Sequence, residues 1–167
     1  MRAAYSVIEA VTKVVAAGAE FDNMRFSYQE YFERMTDDKS WGKPMAALLG
    51  ALKMQVELGL PSIGGKDSMS GTFRDINVPP MLMAFGITTV DARTVISPEF
   101  KAANNNIYVV RHTPKANHMP DTDQLKSNFD FVSEKILQGD ILSAWAVGLG
   151  GVAEGVAKMA FGNKIGA

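Results

Sequence analysis

Glu57-Leu58-Gly59-Leu60-Pro61-Ser62-Ile63-Gly64-Gly65-Lys66-Asp67-Ser68-Met69-Ser70-Gly71 marks a change from one kind of local order to another. Upstream of it, Pro44 suits a helix first turn, and residues 44–58 place Leu48, Leu52, Val56 and Leu58 at helical spacing. Gly59 stops that helix and Pro61 prevents its continuation. Residues 62–73 then read as a strand, Arg74-Asp75-Ile76-Asn77 as a connection, and Pro79-Pro80 as the entry to a further strand from Met81 to Val90. That strand is almost continuously apolar, which predicts burial of both its faces. Helix followed by strands in this way points to a mixed α/β unit.

The run from Gly64 to Gly71 concentrates the chain's polar chemistry. Glycines let the backbone approach a ligand and aim amide N–H groups into a concavity, which suits phosphate. Lys66 supplies positive charge, and Asp67 is the hard oxygen ligand that Mg²⁺ prefers. The run is not a P-loop, because Lys66 is followed by Asp67 and the upstream glycine of that motif is missing. A polar turn between strands accounts for it as well as a phosphate cradle does. Geometry sets a limit on the second reading. In an extended run Lys66, Ser68 and Ser70 share one face, while Asp67 and Met69 point the other way.

Composition narrows the function classes. Of 167 residues, 47% are apolar and 21% charged, with a formal net charge of −1, so no basic excess exists for general nucleic-acid binding. The chain has no cysteine, which excludes disulfides, thiolate metal sites and a cysteine nucleophile within it. No signal peptide opens the sequence and its apolar runs are too short to span a bilayer, so no membrane partner and a cytoplasmic location are expected. His112 and His118, the two histidines, fall together in a loop rich in Pro and Asn.

Working outward, residues 2–18 read as a helix through Val7, Ile8, Val11, Val14 and Val15, stopped by Gly18. Glu9 and Lys13 lie four apart on it, an ion pair worth a few tenths of a kcal/mol in its plain reading, about 0.2–0.5. Residues 20–42 are mixed, with Phe21, Phe26, Tyr28, Tyr31, Phe32 and Trp41 forming an aromatic group of the core or interface kind. Residues 91–105 read as a linker, 107–110 as a short strand, 122–138 as a helix capped by Thr122 or Asp123, and 141–147 as a strand. Gly148-Leu149-Gly150-Gly151 leads into a helix from Val152 to about Phe161, either as a tight turn or as an anion-binding helix entry. The pattern suggests one nearly complete unit followed by an incomplete one.

Several stretches resemble the second half of the large phosphoribosylformylglycinamidine synthases, glutamine amidotransferases of purine biosynthesis. The resemblance is carried by Glu9-Ala10-Val11-Thr12-Lys13 through Gly18, Tyr28-Gln29-Glu30-Tyr31-Phe32, Trp41-Gly42-Lys43-Pro44, and Glu57-Leu58-Gly59-Leu60-Pro61. Gly64 to Phe73, Val78-Pro79-Pro80, Ser97-Pro98-Glu99-Phe100-Lys101, Gly150 to Glu154 and Met159 to Asn163 extend it over nearly the whole chain.

The resemblance implies an aminoimidazole-ribonucleotide-synthase-like fold. Residues 1–97 would be the later part of a strand-rich N-terminal domain, and 98–167 the incomplete beginning of an α/β C-terminal domain. It also implies a ligase that uses ATP and glutamine to turn formylglycinamide ribonucleotide into its amidine. This chain would be a fragment of that enzyme, carrying no catalytic residue and inactive alone. Its share would be an auxiliary ATP/ADP and Mg²⁺ site: Glu9 and Asp67 as metal ligands, with Gly64, Gly65, Lys66, Ser68 and Ser70 around the nucleotide. Lys13 departs from the family's asparagine and would weaken the metal. The partners implied are a nucleotide, the rest of the synthase polypeptide, and a second copy forming a homodimer or higher oligomer. Two alternatives stand beside it: a non-binding structural module that completes a central barrel and braces the catalytic half, and another kinase-like member of the superfamily.

Overall fold

The computed structural model describes residues 1–166. Helix α1, Arg2–Ala16, buries Ala4, Val7, Ile8, Val11 and Val15, one stripe at helical spacing. The chain leaves it through Gly18 at φ 99, a left-handed conformation that glycine adopts without strain. Strand β1, Arg25–Tyr31, follows, then helix α2, Asp38–Leu58, and strand β2, Ser62–Ser68. The short β3, Thr72–Phe73, and β4, Ile76–Asn77, form a two-stranded hairpin. Strand β5, Met81–Ile87, and helices α3, Thr122–Leu137, and α4, Gly151–Asn163, complete the order.

The main sheet has the order β2-β1-β5, with β2 parallel and β5 antiparallel to the central β1. Phe26 and Tyr28 of β1, Leu82 of β5, Val7, Ile8 and Val11 of α1, and Ala51, Met54 and Leu58 of α2 share one core. Helix α3 docks on the same core, where Phe129 meets Phe21 at 5.5 Å between ring centroids. Ser133 Oγ also donates to the Ala19 carbonyl at 3.3 Å. Helix α4 is tied to the segment ahead of it. Phe100 N donates to the Met159 carbonyl, and Asn163 Nδ2 donates to that of Phe100, each at 2.9 Å.

The mixed α/β class and most of the helices agree with the sequence, and five local expectations are corrected. The strand expected over 62–73 ends at Ser68, and Thr72–Phe73 pairs instead with Ile76–Asn77 of the expected connection, because the chain turns back between them. Helix α2 begins at Asp38, ahead of Pro44, because Asp37 and Ser40 form a capping box there. Residues 20–42, read as mixed, contain β1, the central strand. Strand β5 ends at Ile87, and Met81, Phe85 and Ile87 are exposed rather than buried, because helices cover one face of the sheet only. Residues 107–110 and 141–147 form no strand, since neither pairs with β2 or β5, the two edge strands of the sheet, among the described residues. No helix of the described residues is long and apolar enough to cross a membrane.

Candidate functional site

Strand β2 carries the glycine run along an edge of the sheet. Its register against β1 pairs Tyr28 with Gly65, Gln29 with Lys66, Glu30 with Asp67 and Tyr31 with Ser68. Side chains alternate along a strand, so Lys66 and Ser68 lie on the outer face with Gln29 and Tyr31. Asp67 lies on the inner face beside Glu30. The strand stays extended through Ser68, so the structure splits the polar run: it does not gather Lys66, Asp67 and Ser68 on one side. Ser70 lies in the turn beyond, where its carbonyl accepts from Thr72 N at 2.8 Å.

The two glycines of β2 differ in their reason for being there. A Cβ on Gly65 would lie 2.9 Å from the Tyr28 carbonyl oxygen, so the fold itself requires glycine. A Cβ on Gly64 would meet nothing within 4 Å. Nothing in the described packing excludes a side chain there, and the space beside it is open to a ligand. Gly71 is again structural, because its Cβ would lie 2.9 Å from the Phe32 carbonyl oxygen.

Glu9 and Lys13 sit elsewhere. They form an exposed ion pair at 2.7 Å on α1, which packs on α2, β5 and α3, whereas β2 packs on β1. Lys13 instead borders two shallow hollows, one with Trp145, Ile96 and Pro98, the other with Ile87 and Val95. Such an exposed pair contributes about 0–1 kcal/mol. Among the described residues no group of three or more His, Asp or Glu side chains is placed to hold a metal ion.

The residue that periodicity did not reveal is Glu30. It is 1% exposed, and neither carboxylate oxygen has a hydrogen-bond partner among the described residues. Burial, and then the neighbouring Asp67 carboxylate, push its pKa up to about 7. Tyr28 Oη on the same face is also buried and unpartnered, and burial raises its pKa. The signal was present in the sequence. Phe26, Tyr28 and Glu30 follow a period of two, with an acid where the third apolar residue belongs.

The remaining motifs are structural. Gly150 N donates to Glu154 Oε2 at 2.9 Å, so the entry of α4 already holds a carboxylate from its own chain, and the tight turn is the better reading. Lys158 and then the Gly150 N–H hold the Glu154 carboxyl below its ordinary range. His112 Nε2 accepts from Asp121 N at 2.9 Å, fixing the loop ahead of α3, and its burial lowers its pKa. Tyr5 Oη donates to the His118 carbonyl at 3.1 Å.

The fold is the aminoimidazole-ribonucleotide-synthase-like α/β arrangement. Solved structures similar to the chain include T. maritima PurL complexed with ATP, at a TM-score of 0.60 and 15% identity. PurL of T. maritima complexed with AMPPCP follows at 0.57 and 17%, and complexed with ADP at 0.56 and 14%. The matches cover 92–95% of this chain and 25–26% of the neighbours, so the chain spans about a quarter of their length. At these identities the likeness establishes the fold alone. No family model and no curated protein matches the sequence.

Proposed function

We propose that this chain is part of a phosphoribosylformylglycinamidine synthase, an ATP-dependent, glutamine-using ligase of purine biosynthesis in the cytoplasm. Within it, residues 1–97 are the later portion of a strand-rich domain, and 98–167 the beginning of its α/β partner. The single observation that carries the reading is the glycine run on β2: it lies at a sheet edge, with Gly64 unconstrained by packing, in a fold shared with nucleotide-complexed PurL. Gly64, Gly65, Lys66, Ser68 and Ser70 form the nucleotide side of the site, and Asp67 the metal side. Mg²⁺ suits such a place because it binds through one or two carboxylates together with substrate phosphates. Glu9 is the second metal carboxylate that the family resemblance assigns, and Lys13, bonded to it, competes with the cation there. The reaction itself belongs to other parts of the enzyme, so the chain alone makes no amidine product.

The test is thermal unfolding of the chain with MgADP. Ligand at a hundred times its dissociation constant stabilises by ~2.7 kcal/mol. No shift at millimolar MgADP would remove the nucleotide site. The structural-module reading would then take its place, favoured by the exposed apolar residues Phe85 and Ile87 on the uncovered face of β5.

A further inference from the structure

We propose that the exposed face of α2 is a self-recognition surface, on which a second copy of this chain lays its own α2 in the antiparallel sense. Trp41, Met45, Leu48, Leu49, Leu52 and Val56 lie on that face at helical spacing and are 46–72% exposed. The opposite face already buries Ala51, Met54 and Leu58 in the core. A helix that had only its own core to cover would be polar on the outside, and this one is apolar on two sides. The outer stripe is about 22 Å long, at a rise of 1.5 Å per residue. Its six side chains present roughly 600 Å² of apolar surface, the upper limit of the largest patch on a typical monomer. That is also close to the ~800 Å² that each partner gives to a standard interface.

The order of the residues selects a second copy as the occupant. In a two-fold symmetric pair the same patch serves both partners, so each contact occurs twice. For two antiparallel helices this requires positions equidistant from one midpoint. Trp41 and Val56, Met45 and Leu52, and Leu48 and Leu49 are all centred on the same point, between residues 48 and 49. An axis through that point sets Trp41 against Val56 of the second copy, Met45 against Leu52, and Leu48 against Leu49. A different protein would have no need of such a palindrome. Charge does not oppose the pairing. Between Trp41 and Val56 the charged residues of α2 are Lys43 and Lys53, and each is held by an acid of its own chain, Glu33 and Glu57. The surface is independent of the nucleotide site.

Sedimentation equilibrium of the full 167-residue chain tests the surface, with variants at exposed positions. The wild type should dimerise at micromolar concentration, and Met45→Glu should weaken association by about tenfold or more, because it sets a charge against Leu52 of the second copy. Adding Leu52→Lys to that variant should recover association through two ion pairs across the axis. A monomeric wild type overturns the proposal and leaves the stripe to another partner. Association kept in Met45→Glu but lost in Phe85→Glu overturns it too, by moving the contact to the sheet. The chain has no cysteine, so cross-linking gives a second measurement that holds even if Met45→Glu fails to fold. Under mild oxidation Leu48→Cys, beside the axis, should form a covalent dimer, and Trp41→Cys, far from it, should not. Equal cross-linking of the two variants would overturn the antiparallel register.

Discussion

Glu30 makes the folded chain a stronger proton acceptor than the unfolded one. Its pKa rises from an ordinary 4.5 to about 7, so its protonated form favours folding fully below about pH 4.5, and that advantage is lost as pH rises through about 7. In metal-free buffer, Glu30→Gln should flatten the stability profile across this window and raise the melting temperature at pH 8. An unchanged profile would show that Glu30 is compensated by a neighbour. His112 acts in the opposite sense. Its pKa is lowered from 6.5, so its contribution is present above that pH and is lost as pH falls through the folded value. A second prediction separates the two glycines of β2. Gly64→Ala should fold within about 0.5 kcal/mol of the wild type and lose ADP affinity, while Gly65→Ala should be destabilised by about 1–3 kcal/mol. Urea melts and calorimetry give both numbers. Equal stability of the two variants would contradict the β1–β2 register.

Helix α2 depends on its first turn more than on its proline. Ser40 Oγ accepts from Thr36 N at 3.0 Å and Asp37 N at 3.1 Å and donates to the Asp37 carbonyl, and the residue is buried. Ser40→Ala should cost ~1 kcal/mol, seen as a melting point lower by ~2–4 °C. A melting point within a degree of the wild type would mean that the cap is redundant. At this scale the sequence was legible where periodicity was long. Helices α1 and α3 follow their apolar stripes to within two residues of the expected ends. Strand β1 was hidden because its buried face reads aromatic, aromatic, acid, and the acid breaks the alternation that identifies a strand. Residues 107–110 and 141–147 fail for the converse reason: they have strand composition but no partner, and pairing is a property of the fold rather than of the segment. The candidate site divides the same way. The glycine run was visible in the sequence, while the Glu30–Asp67 neighbourhood exists only once the register is known.

For the whole molecule, the distribution of apolar surface is the dominant fact. Trp41, Met45, Leu48, Leu52 and Val56 form an exposed stripe along α2, at the same helical spacing that buries the opposite face. On the other side of the sheet Met81, Phe85 and Ile87 are exposed along one face of β5. A monomer rarely leaves surfaces of this kind uncovered. Sedimentation at micromolar concentration should therefore show a homodimer or larger species, and a well-folded monomer would contradict the proposed association. The parallel pairing of β1 with β2 has a separate consequence, for the order of events in folding. Parallel neighbours cannot be joined by a tight hairpin, and here the crossover between them is α2 itself. Closing that long connection is entropically unfavourable until the helix has formed and docked, and the connection to β5 is longer still, since Tyr31 pairs with Ser68 of β2 but with Met81 of β5. Both neighbours of β1 are therefore late arrivals, and Glu30 lies in an unfinished sheet until Leu82 and Asp67 come alongside.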